Sequence, residues 1–63
     1  MKKRDLERAL RALGWELLRH GGNHDIWIHQ ASGQTEKVPR HREVNERLAE
    51  KILRDAKRVS DAD

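Results

Sequence analysis

The sequence predicts a small α+β domain in the order α-β-β-β-α, with a three-stranded antiparallel sheet and both helices on one of its faces. Two observations carry this. An apolar stripe at helical spacing lies near each end of the chain, at Leu6, Ala9, Leu10, Leu13 and at Val44, Leu48, Ala49, Ile52, Ala56. Between them, short extended runs are separated by Gly21-Gly22-Asn23 and Ala31-Ser32-Gly33-Gln34, the residue types of tight reversals.

The first helix is expected over residues 3–13. Its outer face carries Arg4, Glu7, Arg8 and Arg11, with Glu7 and Arg11 placed as an i,i+4 pair. Gly14 follows the last apolar position, where a left-handed residue closes a helix. Trp15–His20 and His24–His29 then read as a hairpin. Alternation puts Trp15, Leu17 and Arg19 on one face of the first strand and Glu16, Leu18 and His20 on the other. In the second strand it sets His24, Ile26 and Ile28 against Asp25, Trp27 and His29. Both faces hold apolar residues, and β-branching favours Ile26 and Ile28 for the core. Thr35–Val38 forms a short third strand, ended by Pro39.

The second helix begins at Asn45 as N-cap, with Val44 stapled onto Ala49. Glu46 in its first turn and Lys57-Arg58 in its last suit the helix dipole. Glu43–Arg47 and Glu50–Arg54 are further i,i+4 pairs, and Leu53 and Val59 border the stripe. Residues 60–63 read as a frayed polar tail, so order is expected over about 2–58 of one domain spanning 1–63.

Sixty-three residues without cysteine make a marginal core with no disulfide or thiolate metal site, an argument for support from a partner chain. No apolar run is long enough to span a membrane and no secretory leader is visible, so a cytoplasmic protein is expected. The net charge is +3; residues 1–20 carry six basic and three acidic side chains, whereas residues 43–63 carry five and six. The basic surplus lies in the first two-thirds and suits a polyanion, although an ordinary solvated surface explains it equally.

Four histidines stand out. His20, His24 and His29 all lie in or beside the hairpin, but alternation sends His24 and His29 to opposite faces, and no carboxylate pattern completes a zinc set; no metal or cofactor is expected. General acid–base chemistry needs one histidine. RNA brings its own nucleophile, the ribose 2′-OH, and His24 follows two glycines that let a phosphate backbone approach. The same histidine also reads simply as a polar strand residue beside a turn. Arg40 and Arg42, placed before the second helix, and Lys2, Lys3 and Arg4, at the start of the first, are candidate phosphate ligands or plain surface charge. Trp15 and Trp27 are better used as core than as stacking platforms for bases.

A short helix, Gly14-Trp15, Gly22-Asn23-His24 opening a strand, Val38-Pro39 and a second helix together resemble the HicA toxin family of mRNA interferases, over about residues 2–58. The resemblance implies a fold like that of a double-stranded-RNA-binding domain and an activity: metal-independent cleavage of mRNA in a type II toxin–antitoxin pair. His24 matches the catalytic histidine and Gly22 its preceding glycine. Asn23 stands where serine or threonine is usual, and Asp25 where many members carry a second histidine. The implied partners are mRNA and a HicB-type antitoxin that masks His24, with a higher-order toxin–antitoxin complex compatible with both. A non-catalytic RNA-binding module of the same fold is the alternative, separated from the enzyme by turnover.

Overall fold

A computed structural model describes residues 1–62. The elements follow in the expected order: α1 (Lys3–Ala12), β1 (Trp15–His20), β2 (His24–His29), β3 (Gln34–Pro39) and α2 (Glu46–Ala62). The sheet is antiparallel with strand order β1-β2-β3, so β2 is central. The two helices pack together on one face, α1 over β1 and α2 over β3. The shortest dimension of the molecule is 15 Å, which is one sheet and one helix layer.

Each helix is made by its apolar stripe. Leu6 and Leu10 of α1 and Ala49, Ile52 and Ala56 of α2 are buried. Gly14 closes α1 with φ +89°, a value that any Cβ would strain. Asn45 caps α2 as expected: its Oδ1 accepts hydrogen bonds from the Arg47 and Leu48 amides, and Val44 in front of it is buried. Leu48, although on the predicted stripe, is 41% exposed; the buried positions of α2 recur at Ala49, Ile52 and Ala56, one residue round. The polar end is not a tail. α2 continues to Ala62, and the Ser60 hydroxyl donates to the Leu13 carbonyl at 2.6 Å, joining the ends of the two helices. Lys57-Arg58 therefore lie inside the helix rather than in its last turn. Asp63 lies outside the described residues.

The buried face of the sheet is the opposite of the one β-branching favours. In β2 the buried residues are Asp25, Trp27 and His29, whereas Ile26 and Ile28 are half-buried on the uncovered face. Area decides this. Two indoles give so small a core more apolar contact than two isoleucines, and Trp15 and Trp27 are at most 1% exposed. The Trp15 indole N–H donates to the Ala56 carbonyl at 3.2 Å, and the Arg11 guanidinium lies 5.1 Å from the centre of the Trp27 ring. With Arg11 placed there, Glu7 pairs with Lys3 instead, at 3.6 Å.

A β-bulge also changes the parity of β1. Its register with β2 shifts between Leu17 and Arg19, so two residues of β1 advance against one of β2. Leu17 pairs with Trp27, yet Arg19 pairs with Ile26 and His20 with Asp25. His20 thereby joins Trp15 and Leu17 on the helix-covered side, and Arg19 turns to the open side, the reverse of simple alternation.

Candidate functional site

The β1–β2 reversal is built without the left-handed backbone that its glycines suggest. Among the described residues positive φ occurs at Gly14 and Gly33, and at no residue of the Gly21–Asn23 turn. The requirement for glycine at position 21 is one of space. A Cβ there would sit 2.7 Å from the His24 carbonyl oxygen, the atom to which the Gly21 amide donates at 2.8 Å. Gly22 has nothing within 4 Å of where a Cβ would stand. One glycine closes the turn; the next leaves its outer surface open.

His24 begins β2, is exposed, and pairs with Pro39 of β3. The chain beyond Pro39 runs past the turn, and an open groove of about 670 Å³ lies between them, lined by Gly22, Asn23, His24, Arg40 and His41. A second groove, about 550 Å³, shares His24 and runs past Arg19, Ile26 and Lys37 of the sheet to Glu36 and to Leu48, Lys51 and Ile52 of α2.

The groove is held from behind by Asp25. This carboxylate is 1% exposed and takes partners from two elements and a connecting segment: Lys3 Nζ of α1 at 2.9 Å, His20 Nδ1 of β1 at 2.6 Å, and Arg40 Nε, just past β3, at 3.1 Å. Burial acts to raise the Asp25 pKa, but the His20 hydrogen bond and the Lys3 ammonium outweigh it and hold the carboxyl below its ordinary value. Arg40 is fixed twice, since its Nη2 also donates to the Gly21 carbonyl at 3.0 Å. A guanidinium has five N–H donors in a rigid fork. With Nε and one N–H of Nη2 engaged, the remaining donors stay available on a side chain that is 39% exposed.

The structure thus brings together four predicted site residues, Gly22, Asn23, His24 and Arg40, and adds His41. It separates the others. Lys2, Lys3, Arg4 and Arg42 line a different groove, of about 490 Å³, together with Glu7 and Glu43. There the first turn of α1 is tied to the segment before α2 by the Lys3 amide, which donates to the Arg42 carbonyl at 2.9 Å. Lys3 is moreover committed to Asp25 and Glu7. The N-terminus of α2 does not serve the arginines, because Asn45 caps it and Arg40 lies beyond the end of β3. Both tryptophans are buried, which removes them as base-stacking platforms. His29 is also buried, with its Nδ1 2.9 Å from the Ser32 hydroxyl oxygen. Among the described residues no three histidine or carboxylate side chains are grouped to hold a metal ion, and no helix is long and apolar enough to cross a membrane.

A family model described as HicA toxin of bacterial toxin–antitoxin matches residues 4–57, which takes in α1, the whole sheet, the groove and most of α2. The chain belongs to the HicA toxin family. It is accordingly a toxin of a toxin–antitoxin pair, with an antitoxin as its counterpart. Neither curated proteins nor solved structures gave a match. Within this HicA domain His24 lies at the groove, while the Asp25 cluster could not be read from local sequence. Its members are far apart in the chain, and a buried aspartate beside a solvent-facing histidine is indistinguishable in sequence from two surface residues.

Proposed function

We propose that this HicA toxin is a metal-independent endoribonuclease that cleaves mRNA, with His24 moving a proton as the ribose 2′-OH attacks the adjacent phosphate. The observation that carries the reading is the meeting, in one open groove, of the exposed His24 imidazole and the Arg40 guanidinium. The nucleophile belongs to the RNA, so the protein has to supply proton transfer and charge stabilisation. Arg40 offers the latter in fixed geometry, since Asp25 and the Gly21 carbonyl hold it. The open space above Gly22 lets a phosphate reach the backbone beside Asn23. Lys2, Arg4 and Arg42 extend the contact to the flanking strand, with Lys3 acting through Asp25 rather than on RNA. A HicB-type antitoxin silences the toxin by covering His24.

The test is paired expression of wild type and His24→Ala under tight induction, with growth, mRNA integrity and RNA end groups followed. Wild type is expected to arrest growth and leave 2′,3′-cyclic phosphate ends, and the variant to lose about 10²–10⁴-fold in cleavage rate. His24→Ala cleaving as fast as wild type would sink the assignment. Purified wild type that binds RNA without turnover would make the chain a binding module of the same fold.

A further inference from the structure

We infer that His41 is the second proton-transfer residue of the groove, paired with His24 across the scissile phosphodiester. This rests on the ribonuclease reading and deepens it. Cleavage by the 2′-OH has two demanding proton movements. The 2′-oxygen bonds to phosphorus as its proton passes to one imidazole. The bond from phosphorus to the 5′-oxygen breaks as an imidazolium gives that oxygen a proton. The products are a 2′,3′-cyclic phosphate and a 5′-hydroxyl, and exchange with water resets both rings. One base and one acid are needed at neutral pH.

The lining of the groove identifies them by elimination. Gly22 and Asn23 do not titrate, and Arg40 stays protonated. His24 and His41 remain, both exposed. Their closeness is built in. His24 pairs with Pro39 in the last rung of the β2–β3 ladder, and His41 lies two residues beyond that partner. The segment carrying it is pinned at Arg40 to Asp25 and to the Gly21 carbonyl. Of the residues lining this groove, no other is placed for the task. Asp25 is buried and engaged by Lys3, His20 and Arg40. His20 gives its Nδ1 to Asp25 on the helix-covered side. The charged and titratable groups around the pair are Arg40 in the groove, Asp25, His20 and Lys3 behind it, and Arg19, Glu36, Lys37 and Lys51 along the adjoining groove that shares His24.

The experiment compares wild type, His24→Ala and His41→Ala on two RNA substrates: the ordinary linkage, and one whose bridging 5′-oxygen is replaced by sulfur, a leaving group that needs no acid. Circular dichroism verifies that each variant is folded, and His41→Gln supplies a second variant that keeps a hydrogen-bonding side chain. Both alanine variants are expected to lose about 10²–10⁴-fold on the ordinary RNA. One of the two, and not the other, is expected to regain near wild-type rate on the sulfur-bridged substrate. The bell-shaped pH profile of wild type should lose one limb in His41→Gln. His41→Ala cleaving ordinary RNA at the wild-type rate, both variants being rescued, or neither, would overturn the inference while leaving His24 in place. A wild type without turnover would remove the ribonuclease reading itself, and the role of His41 with it.

Discussion

Nε of Arg40 lies 3.1 Å from Oδ1 of Asp25, and the same oxygen is 2.6 Å from Nδ1 of His20. One buried carboxylate oxygen thus fixes a side chain on each side of the Gly21–Asn23 turn. Asp25→Asn keeps the shape but removes the charge. It is expected to lower stability at neutral pH by about 1–2 kcal/mol, a figure reduced because Arg40 and His20 are partly exposed. It should also raise KM for RNA more than it lowers kcat, because Arg40 loses its aim. Urea unfolding and steady-state cleavage assays check the two parts.

The pH dependence of that loss has a defined sign. Asp25 titrates below its ordinary value in the folded chain, so its contribution to stability is complete above the unfolded carboxylate pKa of about 3.9 and is lost as pH falls through the lower folded value. Urea midpoints measured against pH should therefore separate wild type from Asp25→Asn at neutral pH and converge in acid. A gap that stays constant down to the acid limit would contradict the assignment.

Glu36 has the opposite sign. It faces inward opposite Trp27, and burial, with Asp55 nearby, pushes its pKa up against the pull of Lys51. Its favourable state is the protonated one, complete below the unfolded pKa and lost as pH rises through the raised folded value. Glu36→Gln is therefore expected to stabilise the protein at neutral pH, by less than about 1 kcal/mol for a half-buried group, with the gain disappearing in acid. Thermal melts at both pH values test this.

Gly21 and Gly22 are neighbours with different duties. Gly21→Ala places a Cβ against the His24 carbonyl, and it should cost about 1–3 kcal/mol and displace His24. Gly22→Ala meets no atom, so stability should stay within about 0.5 kcal/mol of wild type. If RNA approaches over Gly22, its cleavage should still fall. Comparing melting temperature with activity for the two variants separates a folding role from a binding role.

Ser60 offers a test of the end of α2. Ser60→Ala removes the hydrogen bond to the Leu13 carbonyl and is expected to cost about 0.5–1.5 kcal/mol. No loss would mean that this end of the helix contributes nothing to holding α1.

The sequence made some features plain and hid others. Leu6, Leu10, Ala49, Ile52 and Ala56 reveal both helices, because an i,i+3,i+4 stripe is local and repeats. Asn45 announces a cap for the same reason. The sheet is harder, since Ile26 and Trp27 are equally apolar to a reader who cannot see which face the helices cover. The bulge after Leu17 leaves no mark in composition, yet it carries His20 to Asp25. His24 was singled out through resemblance and Arg40 as one of several candidate phosphate ligands, whereas His41 gains its place beside them only when the strand register folds the chain there. The commitments of Lys3 are equally hidden in the sequence: its ammonium pairs with two carboxylates, Glu7 and Asp25.

The central strand keeps two sets of books. Along β2, Asp25, Trp27 and His29 face the helices, while His24, Ile26 and Ile28 face outward. Selection can therefore act on alternate letters of one six-residue word nearly independently. The even-numbered positions answer to function, His24 to the chemistry and Ile26 and Ile28 to what covers the outer face, whereas the odd-numbered ones are bound to the scaffold. A deep substitution scan across residues 24–29 would show this as a sawtooth, with abundance dipping at odd positions and toxicity lost at even ones without loss of abundance.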